Sequence, residues 1–240
     1  MNKNLIFKPV VYWGLALYIL LAFPVLALGE QVAAFAFPED HYFENVGAIS
    51  LFAASIIMFY SFLFARKQIL PGKVFWVKQL VYLGLAFVFF FGAGEEISWG
   101  QRIFNIKTPE AMEKINAQDE ITVHNMEING YSLPFESSFD VLWMSLLVLI
   151  PIANVFMKWV EERFFPIVHW GMGALFLFDY LFAKVAKIIF QAVYTYDQVP
   201  FIQAVQEIKE SNYELLFAVF ALFVLLELKR SSDKKAAGST

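Results

Sequence analysis

Residues 46–65 read VGAISLFAASIIMFYSFLFA, a stretch of twenty without a single charge. As an α-helix rising ~1.5 Å per residue, such a run covers the ~30 Å hydrocarbon core of a bilayer. Lipid offers the backbone no hydrogen bonds, so only a helix or a closed barrel can span it. One run of this kind already argues against an ordinary water-soluble fold, and this chain repeats the pattern.

Five further apolar runs follow the same rule, at about 10–29, 74–94, 139–157, 165–184 and 212–228. The expected fold is therefore an all-α membrane protein, a bundle of about six transmembrane helices forming a single domain over residues 1–230. Composition agrees: 59% of the chain is hydrophobic and 17% charged, against about 25% charged in soluble domains. The first run has basic residues before it, Lys3 and Lys8, but is too long for the apolar core of a signal peptide, and we expect a retained helix. The absence of cysteine excludes disulfides, thiolate metal ligands and a cysteine nucleophile. A net charge of −4 gives no footprint for a nucleic-acid partner.

Lys and Arg in the short connections set the orientation. A cytoplasmic N-terminus places twelve of the 18 basic residues inside, including Arg66, Lys67, Lys73 and Lys229. Both termini are then cytoplasmic, the expected location is a plasma (bacterial inner) membrane, and residues 231–240 read as a disordered tail. The outer face receives the longest connection, residues 95–138. Connections of that length usually carry function. Within it, TPEAMEKINAQ reads as a helix with Thr108 as N-cap and Pro109 in the first turn. Between the last two runs, Phe201, Ile202, Val205 and Ile208 share one face of an expected interfacial amphipathic helix.

The chemistry-bearing residues collect where the third run meets that loop, in FFFGAGEEISWGQRIF. If the helix continues past Gly94, Glu95, Ser98 and Arg102 share one face, and Glu96 points about 100° away, toward Trp99. Carboxylates at a helix C-terminus oppose the macrodipole. At membrane depth each costs a few kcal/mol unless paired or wetted. They invite a counter-charge, a metal or a shared proton. Asp40 and Glu44 precede the second span, Glu120, His124 and Asn125 lie in the loop, and Asp179 sits in the outer half of the fifth span.

The segments PEDHYFEN, GEEISWGQR and N-x-Q-x-E followed by HN, together covering roughly 38–125, resemble the pattern of a family of bacterial polytopic inner-membrane proteins of uncharacterised function. The resemblance implies that these polar residues form one site. It implies no reaction. The three histidines, His41, His124 and His169, show no H-x-x-x-H spacing of the kind that three-histidine zinc lipid hydrolases use.

Three readings stay open. The first is a metal-assisted hydrolase or transferase acting on a lipid or lipid-linked substrate, with Glu95, Glu96, His124 and Ser98 as catalytic candidates. Its metal ligands are Glu96, His124, Glu120, Asp40 and Glu44, an oxygen-rich set with one imidazole that suits Zn, Mg or Mn. Arg102, Gln101, Trp99, Asn125 and Asp179 are its substrate-binding candidates, with Trp99 also a natural interfacial anchor. The second is a non-catalytic membrane subunit that docks a protein partner through the outer loop. The third is a cation or proton pathway through Glu95, Glu96 and Asp179, against which the inner halves of the spans offer few polar residues besides Lys78, Gln79 and His169.

Overall fold

A computed structural model describes residues 3–29, 31–33, 42–67, 72–101, 103–116, 120–123, 126–128, 131–132, 135–156, 170–193 and 199–237. The long helices are α1 (Lys3–Ala22), α2 (Tyr42–Ala65) and α3 (Gly72–Glu96). The long connection after α3 adds a four-residue turn of helix, α4 (Glu110–Glu113), and two short strands, β1 (Glu127–Ile128) and β2 (Tyr131–Ser132). Then come α5 (Phe135–Met144), a π-helical turn (Ser145–Leu149), α6 (Ile150–Phe156), α7 (Trp170–Val193) and α8 (Val199–Ala237).

Four stretches are long and apolar enough to cross a membrane: Lys8–Leu28, Tyr42–Ala65, Phe75–Glu96 and Pro200–Asp233. They overlap the first, second, third and sixth expected runs. The fourth run is helical but shorter in its apolar part, Ser137–Ala153. Pro151 explains the π turn before it. Proline brings no N–H and its ring meets the carbonyl four residues back, so the helix widens locally. The fifth run appears as α7, whose 24 residues include Asp179, Lys184 and Lys187; its expected start, 165–169, lies outside the described residues.

The chain divides into two compact units, Met1–Gly47 with His169–Leu216, and Ala48–Val168 with Phe217–Thr240. In the first unit, α1 packs on α7 through the edge-to-face pair Phe23–Phe182, centroids 5.5 Å apart. Its interior is apolar and aromatic, with Ile19, Phe23, Met172, Phe176, Phe201 and Ile208 all buried. In the second, Phe217 of α8 meets Phe89 of α3 at 5.1 Å and Phe139 of α5 at 6.2 Å. The Ser55 hydroxyl of α2 donates to the Ala86 carbonyl of α3 at 2.8 Å, the polar cross-link that helices use in lipid.

Three expectations are corrected here. The amphipathic helix near residue 201 is not separate from the last span. Both belong to α8, 39 residues long, or about 58 Å at ~1.5 Å per residue. Phe201, Val205 and Ile208 are buried, so that face packs against protein instead of lying on a membrane surface. The same helix runs on to Ala237, through most of the tail expected to be disordered. The TPE helix is also shorter than expected: it starts after Pro109, which is extended at ψ 139°, and ends at Glu113. Pro109 takes the N-cap position, and the Thr108 hydroxyl accepts a hydrogen bond from Gln101 Nε2 at 2.7 Å.

Candidate functional site

Helix α3 stops at Glu96, so Glu95 and Ser98 do not lie along one helical face. Beyond it Ser98 and Trp99 adopt positive φ, 46° and 52°, followed by Gly100 at 77°. Positive φ in a non-glycine residue costs about 1–3 kcal/mol and persists only where surroundings enforce it. The enforcement is visible. The Trp99 ring folds back on the end of α3, 6.2 Å from Phe90 and 5.4 Å from Phe91. Its edge occupies the space where a side chain at Gly94 would stand, about 2.9 Å from that Cβ position. The indole Nε1 donates to Glu95 Oε1 at 2.6 Å.

Glu95 is 3% exposed, and its second oxygen is also engaged. Oε2 accepts the backbone N–H of Val123 at 2.6 Å, from 28 residues further along. Gln101 works alongside: Oε1 accepts the Ile121 N–H at 2.6 Å while Nε2 reaches Thr108. Asn116 completes the set, accepting the Glu120 N–H at 3.2 Å and donating to the Thr122 carbonyl at 2.9 Å. Outside β1 and β2, a segment with so little regular structure must find other partners for its backbone donors. Three of them, in residues 120–123, are taken by the side chains of Asn116, Gln101 and Glu95.

The structure therefore brings Glu95, Trp99, Gln101 and Glu120 into one cluster, in which Glu120 is buried and Glu96 half-buried. Ser98 is 1% exposed, and its hydroxyl has no hydrogen-bond partner among the described residues. Glu44 lies in the first turn of α2, in the other unit. Asp40, Arg102, His124 and Asn125 lie outside the described residues. Among the described residues no three His, Asp or Glu side chains are grouped so as to hold a metal ion.

A second polar centre lies inside the first unit and was only partly foreseen. Asp179 of α7 is fully buried, and its Oδ1 accepts from Asn212 Nδ2 of α8 at 2.6 Å. Asp179 Oδ2, Asn212 Oδ1 and Ser211 Oγ are buried without hydrogen-bond partners among the described residues. Lys209 attracts the Asp179 carboxylate electrostatically, and its Nζ stands 5.7 Å from the Tyr213 ring. Glu214 is 5% exposed and its carboxylate lies directly against Gly47. Sequence reasoning singled out Asp179 and missed Lys209, Asn212 and Glu214. The available signal was the i, i+3 spacing of Lys209 and Asn212, which puts both on one face once α8 is continuous.

No family model, curated protein or solved structure matches the chain.

Proposed function

We propose that this is a multi-pass protein of a bacterial inner membrane, with six spans and both termini cytoplasmic, acting as a subunit that docks a protein partner through the folded segment 95–138 on the outer face. The four long apolar helices and the distribution of Lys and Arg support the membrane reading. One observation carries the docking role: both oxygens of Glu95 are bound by its own loop, to Trp99 and Val123. Both bonds hold the loop against the end of α3. Its service is to fix the loop's shape, and a fixed surface is what recognition by a rigid partner requires.

The test is site-specific cross-linking in cells. Tyr131 is 79% exposed in β2, and the chain has no native cysteine, so Tyr131→Cys gives a single attachment point. A discrete adduct of defined mass is expected. It should disappear in the Glu95→Ala background while membrane levels hold. An adduct pattern indifferent to Glu95→Ala would sink this reading.

A second reading has its own support, the Ser98 hydroxyl, buried and without a described partner on a positive-φ backbone beside Glu95. Strained residues of this kind gather at active sites. Here the protein is a hydrolase or transferase for a lipid or lipid-linked substrate. Glu96, Glu120 and His124, which all belong to one unit, would hold a divalent Zn, Mg or Mn ion. Elemental analysis of purified protein decides: near-stoichiometric metal that Glu96→Ala and His124→Ala both remove supports this reading. Metal-free samples, with both variants merely less stable, reject it.

A further inference from the structure

We infer that the exposed apolar side chains just past the end of α3, Ile97, Trp99, Ile103, Phe104 and Ile106, form a membrane-surface anchor, set into the headgroup–acyl boundary of the leaflet where α3 ends. This rests on reading α3 as a membrane span.

The first argument is polarity. A loop in water buries its apolar side chains and exposes its polar ones. Here several side chains of each kind do the reverse. Glu95, Ser98, Asn116, Glu120 and Thr122 are all buried at 6% exposure or less. Ile103, Phe104 and Ile106 are exposed at 69%, 73% and 48%, with Ile97 and Trp99 close to 40%. Polar-in and apolar-out is the arrangement that suits an apolar medium, because each buried polar group finds its partner inside the protein.

The second argument is direction. The positive-φ residues 98–100 reverse the chain, and Trp99 packs back on Phe90 and Phe91. The segment therefore turns toward the helix it left instead of rising away from it. Phe87 and Phe90 of α3 are themselves exposed, at 67% and 47%. The apolar surface of the loop thus continues the lipid-facing surface of the span. An indole with a hydrogen-bonded N–H and a half-exposed ring is also the side chain that favours the interfacial zone.

The third argument is a boundary. Past Ile106 exposed charges follow at once, at Lys107, Glu110, Glu113 and Lys114. The water surface is placed between Ile106 and Lys107. The occupant of the 97–106 surface is lipid, and a second copy of the chain or another protein is the competing outcome.

The absence of native cysteine makes depth measurable. Single Cys variants at Phe87, Phe104 and Glu113, plus Ile103 as a second loop position, are spin-labelled and reconstituted in nanodiscs of phosphatidylcholine and phosphatidylglycerol. Collisions with oxygen and with a water-soluble nickel chelate are then compared. The expected order of oxygen over nickel is 87, then 103 and 104, then 113, with mobile spectra at 103 and 104. Nickel access at 103 and 104 equal to that at 113, with 87 still in lipid, overturns the anchor and leaves the span intact. Nickel access at 87 overturns the span reading itself. Immobilised spectra at 103 and 104 place protein there, and dipolar broadening between labels identifies that protein as a second copy; both results overturn the inference.

Discussion

The Glu95 carboxylate accepts the backbone N–H of Val123 at 2.6 Å across 28 residues of sequence. That bond, with the one from Trp99 to the other oxygen, ties the middle of the long loop to the end of α3. A hydrogen bond to a charged group contributes about 1.5–3 kcal/mol, and orphaning a buried donor costs about 1–3 kcal/mol. Glu95→Ala removes both acceptors and orphans the Val123 N–H. We expect residues 101–126 to become protease-sensitive and the thermal midpoint in detergent to fall. Glu95→Gln retains one acceptor but turns an NH2 group toward a donor, so it should fall between wild type and Ala. Cleavage kinetics identical in all three would show that the loop is held elsewhere.

Gly94 and Trp99 should be coupled. A Cβ at Gly94 meets three atoms of the Trp99 ring at 2.9 Å, and overpacking of this kind costs about 1–3 kcal/mol. The ring cannot move away without lengthening its bond to Glu95. Gly94→Ala is therefore expected to destabilise the wild type and to cost almost nothing once Trp99→Ala has cleared the space. Thermal unfolding of the two single variants and the double variant measures this. Additive losses would contradict the packing described.

What was legible in the sequence was the part written in local periodicity. The apolar runs that became α1, α2, α3 and α8 are lengths of side chain facing lipid or core, and length alone marks them. The long loop was legible as a unit of unusual polarity, because GEEISWGQR and N-x-Q-x-E stand out against an apolar background. Its geometry was not legible. Gln101 meets Ile121 across 20 residues and Glu95 meets Val123 across 28, and such pairings leave no periodic trace. Nor does the sequence announce positive φ at Ser98 and Trp99, since neither residue type favours it. The extent of α8 was missed for another reason. The stretch around residues 201–208 read as an interfacial helix separate from a span at 212–228, but Lys209, Ser211 and Asn212 are buried within one unbroken helix.

A close approach in the first unit gives a third prediction. A Cβ at Gly47 would coincide with Glu214 Oε2, and Glu214 is too deeply buried to swing out into solvent. Gly47→Ala should destabilise by about 1–3 kcal/mol. Shortening the opposing side chain, Glu214→Ala, should relieve most of that loss in the double variant. Fluorescence-detected size-exclusion after heating reads the effect in small amounts of protein. Failure of Glu214→Ala to rescue Gly47→Ala would mean that α2 and α8 do not meet at these residues.

Asp179 and Asn212 supply the last prediction. Their bond joins α7 to α8 at 2.6 Å with both side chains essentially inaccessible. Hydrogen bonds between membrane helices average about 0.6 kcal/mol and reach about 1.7 kcal/mol, because the unfolded helices in lipid also find partners. The coupling energy between Asp179→Leu and Asn212→Leu should fall in that range. The two single variants should differ from each other. Asn212→Leu leaves the buried Asp179 carboxyl group without that donor, whereas Asp179→Leu leaves the Asn212 amide without that acceptor. Asp179→Asn keeps an oxygen for Asn212 Nδ2 and should preserve the bond while discarding the charge. A double-mutant cycle in detergent gives the numbers. Zero coupling between positions 179 and 212 would leave the bond without energetic weight, and a large loss in Asp179→Asn would show that the charge, not the hydrogen bond, organises this centre.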